Sequence, residues 1–262
     1  MGFGDKTDVI TSRTNARVKQ LRAAFAGQAR LSEGMVAIEG EKLLGEAVRS
    51  GIAIETVFVS AGREWFLLAT RSVEVVRLSE DVFASVVETQ APQGVAALVR
   101  PPVHSLDDML IGTPLILVAA GLQDPGNLGT LVRSAEAFGA AGVVTTAGTV
   151  SAWNQKALRA SAGSVFRVPV VAVEDLMELT ARGVRLMAAV PSGVGVVEAR
   201  DASFVGAVGI VIGNEGSGLS EELLEMADVK VTIPCPGMVE SLNAAVAGSL
   251  LLYEAARWRS SR

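Results

Sequence analysis

The chain is short of the residue types that bind metals and form covalent staples. Among 262 residues there is one cysteine, Cys235, and one histidine, His104. A single cysteine excludes an internal disulfide framework and a cysteine-cluster zinc site. A single histidine leaves no histidine-based metal set, so no metal is expected. No apolar run approaches the roughly 20 residues that cross a bilayer. The stretch Met1 to Asn15 has no apolar signal core, so a cytoplasmic protein without membrane contact is expected. Internal repeats are missing. So is an excess of positive charge: the net charge is −5, which at first sight does not suit a partner of nucleic acid.

What is present is a chain that is 50% hydrophobic, enough for a sizeable core in one large domain or two smaller ones. Its charge is unevenly spread. Residues 1–30 carry Lys6, Arg13, Arg17, Lys19, Arg22 and Arg30 against only Asp5 and Asp8. Residues 106–262 carry 11 bases and 16 acids. Local basic faces, not totals, set attraction to phosphate, although a solvated basic helix reads the same way.

Residues 13–31 predict a first helix, with Val18, Leu21, Arg22 and Phe25 at helical spacing. Ala37 to Gly40 is extended, Lys42 to Ser50 is helical, and Gly51 stops it. Glu55 to Val59, Val73 to Leu78 and Gly94 to Val99 read as strands, with a short helix capped at Ser79. This is a small α/β unit. Prolines and polar residues then interrupt both periodicities from Arg100 to Pro114, as in a linker. We therefore expect domains over residues 1–105 and 113–262. From Leu115 to Ala119 a continuous apolar run suits a strand buried on both faces. Further strands are expected at Val143-Val144, Val168 to Val173, Leu186 to Val190, Val208 to Ile212 and Val229 to Ile233. Helices separate most of them, which predicts an α/β fold with a mostly parallel sheet covered on both faces. The last helix, about Ser241 to Arg257, is apolar nearly all round and should be buried in its own domain or against a second copy.

Three stretches carry the candidate chemistry. In Asn127 to Arg133, Gly129 and Thr130 share a helical face with Arg133. Gly129 should leave room there for a bulky group such as a ribose phosphate, which the guanidinium can grip with paired hydrogen bonds. Alone, the segment also reads as an ordinary amphipathic helix. In Gly213-Asn214-Glu215-Gly216-Ser217-Gly218-Leu219, a strand delivers a glycine-rich loop with exposed main-chain groups. The glycine spacing is not that of a dinucleotide fingerprint, and the loop has no P-loop lysine. Glu215, with Glu221 and Glu222 just beyond, would repel a pyrophosphate, so a neutral or positive ligand is expected. This argues against a nicotinamide-dependent oxidoreductase. In Ile233-Pro234-Cys235-Pro236-Gly237 followed by Ser241-Leu242-Asn243, the prolines fix an extended path. Ser241 and Asn243 both look like helix caps, and one helix start needs only one.

Together, in this order and at these separations, the three stretches resemble the SpoU (TrmH-type) branch of the SPOUT RNA methyltransferases. That family shows N-x-G-x-x-x-R, G-N-E-G-x-G-L and I-P-x-x-G…S-L-N. The resemblance covers roughly residues 113–258, including the segment Lys156 to Val168. More loosely, residues 9–100 with Ile38-Glu39-Gly40-Glu41-Lys42 are similar to the family's N-terminal RNA substrate-binding domain. Cys235 stands where many members have methionine, and Ala244-Ala245 replaces the common Val-Ser. The resemblance implies a deep C-terminal trefoil knot, a homodimer through the catalytic domain, and S-adenosylmethionine held by Gly213, Asn214, Ile233, Leu242 and Val190. It implies methyl transfer to a ribose 2′-hydroxyl of RNA, ribosomal RNA above all, by the set Asn127, Arg133, Glu215, Ser241 and Asn243. In this reading Asn127 and Glu215 hold Arg133, which orients a phosphate that takes the proton, because guanidinium groups keep theirs. RNA would be bound by Arg13, Arg17, Lys19 and Arg22. A transfer-RNA substrate, a base instead of a ribose target, and a catalytically silent RNA-binding paralogue stay open as alternatives.

Overall fold

The computed structural model describes residues 8–27, 34–63, 73–89 and 91–261, which fall into two compact units, Met1–Pro102 and Val103–Arg262. Lys6, Arg30 and Asp5, part of the charge balance above, lie outside the described residues.

The first unit opens with α1 (Ala16–Phe25), capped by Asn15, whose side chain accepts from the Arg17 amide. The helix is shorter than expected. Gly27, at φ +75°, turns the chain just after Ala26, the C-cap. Its buried face is Val18, Leu21, Ala24 and Phe25. Arg22 is exposed, and Ala24 holds the core position instead. The unit continues with β1 (Val36–Glu39), α2 (Glu41–Arg49), β2 (Ala53–Ser60), β3 (Glu74–Leu78), α3 (Glu80–Ala84) and β4 (Val95–Arg100). The sheet order is β1-β4-β2-β3. β4 runs antiparallel to β1 and β2, and β3 runs parallel to β2. α1 and α3 share one apolar cluster with Phe58, Leu78, Ala96 and Leu98. α2 packs against β1, β2 and β4 through Leu43, Leu44 and Ala47.

The second unit begins inside the stretch read as a linker. Leu106–Met109 forms a short helix, α4, with a capping box between Ser105 and Asp108, and Leu106 and Met109 enter the domain core. One turn of helix is too short to show a period, which is why the sequence hid it. Then follow β5 (Leu115–Ala119), α5 (Pro125–Ala137), β6 (Gly142–Thr145), α6 (Gln155–Ser161), β7 (Val170–Ala172), α7 (Met177–Thr180), β8 (Arg185–Ala189), β9 (Val197–Glu198), β10 (Val208–Ile212), α8 (Glu221–Met226), β11 (Val229–Thr232) and α9 (Ala244–Ser260). Seven strands form one sheet in the order β7-β6-β5-β10-β8-β11-β9. Every pairing is parallel. The two-residue β9 carries too little pattern to be read from sequence.

Two features of this sheet place the site. β5 and β10 are neighbours in register, Leu115 opposite Val208 and Ala119 opposite Ile212, so loops 93 residues apart in the chain leave side by side. From β5 the chain winds outward to β6 and β7, then returns to β8 on the far side of β10. Such a reversal is where open parallel sheets bind ligands, beyond the carboxyl ends of their strands. α9 packs against α5, β10 and β5. Gly248 makes this possible, because a Cβ there would collide with Leu131 and press on Ile212.

Candidate active site

The Ala120 amide donates to the Ile212 carbonyl at 2.8 Å, joining the exits of β5 and β10. Beyond β10 the chain folds back sharply. Asn214 and Gly218 exchange two main-chain hydrogen bonds of 3.0 Å. A Cβ on Gly213 would lie 2.6 Å from the Gly218 carbonyl oxygen, so no side chain fits. The Asn214 side chain shapes the loop from within: its oxygen accepts from the Gly216 amide at 2.8 Å and the Ser217 amide at 3.1 Å, and its nitrogen donates to the Gly121 carbonyl at 2.8 Å.

Glu215 ties this loop to α5. Its Oε1 accepts from Asn127 Nδ2 at 3.0 Å and from the Asp124 amide at 3.2 Å, and Oε2 accepts from the Gln123 amide at 3.3 Å. Partial burial opposes its ionisation. The donors Asn127, its own amide, Gln123 and Asp124 outweigh that, and the Glu215 pKa lies below the usual carboxylate value. Asn127 Oδ1 in turn accepts from Asn243 Nδ2 at 3.1 Å. Asn243 Oδ1 caps α9, accepting from the amides of Ala245 and Val246. One continuous chain, Glu215–Asn127–Asn243, thus joins the three stretches singled out in the sequence. The cap is Asn243 alone. Ser241 lies outside the helix and is exposed.

Beside this junction lies a cavity of about 980 Å³, with Val190, Gly213, Asn214, Glu215, Ile233, Ser241, Leu242 and Asn243 in its wall. All five residues expected to bind cofactor are among them. Among the described residues the wall contains Glu215 and Glu240, and no lysine, arginine or histidine. Such a wall suits a ligand with positive or neutral groups and repels phosphates. Cys235 also belongs to the wall, and its Sγ approaches the Ile233 carbonyl at 3.5 Å.

Arg133 stands differently from expectation. It is exposed on α5, is not part of the cavity wall, and has no bonded partner among the described residues. Asn127 and Glu215 make no bond to it; they bond to each other, Asn127 also to Asn243, and Glu215 also to the amides of Gln123 and Asp124. The reason for Gly129 is also different. Its missing side chain does not open space above Arg133. A Cβ there would sit 2.7 Å from that of Ala160 and closer still to the Ala157 carbonyl oxygen, so glycine lets α6 lie directly on α5. Asp124 was missed. It caps α5 by accepting from the Asn127 amide at 2.9 Å and pairs with Lys156 at 2.6 Å. The signal was available: Asp-Pro-Gly is an N-cap followed by proline at the first helical position. In the first unit, Arg13, Lys19 and Arg22 are exposed on or beside α1, whereas Arg17 is paired with Glu74 at 2.6 Å.

Residues 114–253 match the SpoU rRNA Methylase family. The chain belongs to that family. Residues 15–97 match the MRM3-like substrate binding domain. The chain is 37% identical, over 93% of its length and 97% of the relative's, to the 23S rRNA (guanosine(2553)-2'-O)-methyltransferase RlmP of Bacillus subtilis. It is 32% identical, over 96% of its length and 93% of the relative's, to a 23S rRNA (uridine(2479)-2'-O)-methyltransferase of Streptomyces viridochromogenes. Its fold resembles the SpoU methyltransferase AviRb from the latter organism, solved in complex with AdoMet. The TM-score is 0.82 at 30% identity, with 94% of this chain and 99% of that one covered. In this chain the three loop stretches stand on a parallel sheet and are stitched by Glu215, Asn127 and Asn243.

Proposed function

We propose that this SpoU methylase transfers a methyl group from S-adenosylmethionine to a ribose 2′-hydroxyl of 23S ribosomal RNA. The observation that carries the reading is the Glu215–Asn127–Asn243 junction beside a cavity whose charged groups among the described residues are both acids. When bound, S-adenosylmethionine supplies an electrophilic methyl on a positive sulfonium. Glu215 and Glu240 complement that charge, and the main-chain groups of Gly213, Ile233 and Leu242, with Val190 and Asn214, hold the adenosine. Ser241 and Asn243 line the same space. Arg133, unpartnered and one turn beyond Gly129, donates hydrogen bonds to the phosphate of the target nucleotide and fixes its ribose. A phosphate oxygen then takes the hydroxyl proton, since the guanidinium keeps its own.

The reading includes a first unit that docks RNA through Arg13, Lys19 and Arg22, with Arg17 half-spent on Glu74, in a cytoplasmic protein that needs no metal. It includes a homodimer. Val246, Leu250 and Tyr253 form an apolar stripe along α9, each 40–48% exposed, and a second copy would cover it. It also includes a trefoil knot over the C-terminal segment, a topology otherwise close to forbidden in proteins.

The deciding experiment maps ribose methylation across 23S RNA from cells with and without the protein, then repeats the transfer with purified components. A single 2′-O-methyl nucleotide that depends on the protein is expected. Methylation of a base, or of transfer RNA only, would sink the reading. So would failure to bind S-adenosylmethionine in a calorimetric titration.

A further inference from the structure

The face made by α5 and α6 differs in charge from the rest of its domain. Residues 124–167 contain four bases, Arg133, Lys156, Arg159 and Arg167, and only two acids, Asp124 and Glu136. Both acids are already used: Asp124 pairs with Lys156 at 2.6 Å, and Glu136 pairs with Arg167. Their carboxyl pKa values are lowered, first of all by those bases. Arg133 and Arg159 are left exposed, with no bonded partner among the described residues. The domain around them is acidic, so this positive surface is local.

Packing sets the helices that carry the two arginines against each other. Gly129 rests on Ala157 and Ala160. Arg133 is one turn beyond Gly129 on α5, and Arg159 precedes Ala160 on the exposed side of α6. At the other end of the contact, Gly126 lies against the Lys156 stem. Lys156 donates to Asp124, whose amide donates to Glu215. The basic face is therefore tied to the junction beside the cavity.

We propose that the outer face of α6 is an RNA-phosphate site, with Arg159 gripping a phosphate next to that of the methylated nucleotide and Lys156 at its edge. This rests on the function proposed above and adds residues to it. Arg159 is a positioning residue: it holds the strand, while the reacting atoms lie beyond its reach. The close contact at Gly129 fixes the spacing between the grips of Arg133 and Arg159, which gives a second reason for glycine there.

The test compares Arg159→Ala, Arg159→Glu and the control Arg182→Ala, an exposed base paired with Asp107. Each full-length variant is assayed with deproteinised 23S RNA at saturating S-adenosylmethionine. RNA affinity is measured across a salt series, and S-adenosylmethionine binding by calorimetry. Losing one charge-assisted contact should raise the RNA KM about tenfold, with kcat within about twofold. The salt slope of RNA binding should fall by about one. S-adenosylmethionine affinity should be unchanged, Arg159→Glu should be worse than Arg159→Ala, and the control should match wild type. Wild-type RNA affinity and salt slope in Arg159→Ala would overturn the site. So would a parallel loss of melting temperature and cofactor binding. A wild-type protein that binds RNA but transfers no methyl refutes the functional reading instead, and the RNA-affinity arm still judges Arg159.

Discussion

The two ends of the seven-stranded sheet are finished in opposite ways. At the foot, Arg259 near the end of α9 donates to four carbonyls: Thr113 at 2.8 Å, Pro114 at 3.3 Å, Phe204 at 3.2 Å and Gly206 at 2.7 Å. These groups precede β5 and β10. Its guanidinium has no carboxylate partner among the described residues, and loss of water lowers its pKa. At the head, loops are tied by side-chain amides and one carboxylate, and Arg133 is left without any partner among the described residues. The same side chain is thus engaged by four carbonyls where the fold must be closed and left without a described partner where a ligand is expected. α9 joins the ends, capped at its start by Asn243 in the junction and held at its finish by Arg259. A helix of that length spans about 25 Å, so the head is braced from the foot.

If the contrast is real, substitutions at the head should change chemistry and substitutions at the foot should change stability. The largest effect is expected for Arg133→Ala. Methyl transfer should fall by roughly 10²–10³-fold, the scale for losing one donor at a reacting centre. S-adenosylmethionine affinity and melting temperature should stay as they are. Near-wild-type turnover would remove Arg133 from the mechanism. Next comes Gly213→Ala, in which the new Cβ meets the main chain of Gly218 and Leu219. We expect cofactor affinity to drop by at least about tenfold, from overpacking of order 1–3 kcal/mol, with the fold intact by circular dichroism. A variant that binds as well as wild type would show that the loop can open at little cost.

Arg259→Ala tests the foot. It removes one donor from each of four carbonyls, of which Pro114 keeps the Val208 amide. At about 1 kcal/mol net per hydrogen bond, counting the two short ones, the loss is about 2 kcal/mol. The melting temperature should fall by about 5 °C for a unit of this size. The kinetics of the remaining folded protein should be unaltered. A kinetic defect without a thermal one would reverse the assignment of roles to the two ends.

How far these ends could be read from sequence also differs. At the head, the strand Val208–Ile212 and the residues Asn127, Glu215 and Asn243 were legible, because glycine loops and caps have local rules that leave marks in the chain. The roles within that set were less legible. The pairing of Asn127 with Glu215 spans 88 residues, and nothing local announces it. Gly129 was read as space for a ligand and proves to be space for α6, because a missing side chain does not record what fills the gap. At the foot almost nothing was legible. An arginine bonded only to main-chain carbonyls needs no particular residue types as partners, so Arg259 looked like any base in the last turn of a helix.

The smallest predicted effect concerns acid. Because the folded-state pKa of Glu215 is depressed, its contribution to the junction is fully present above the ordinary carboxylate value of about 4.3. That contribution is lost only as pH falls through the lower folded value. S-adenosylmethionine affinity should therefore be flat from about pH 5.5 to pH 9 as far as Glu215 is concerned, and weaken in more acid solution as its acceptor oxygens are protonated. Glu215→Gln keeps one acceptor oxygen and cannot ionise. Its affinity should be modestly lower at neutral pH, since the charge facing a positive ligand is gone, and its acid limb should be shallower than that of wild type. An acid limb of wild-type depth in Glu215→Gln would take the acid limb away from Glu215, and Glu240→Gln in the same wall would be the next substitution. That outcome would separate the two acids: Glu215 would hold the loops, and Glu240 would supply the charge.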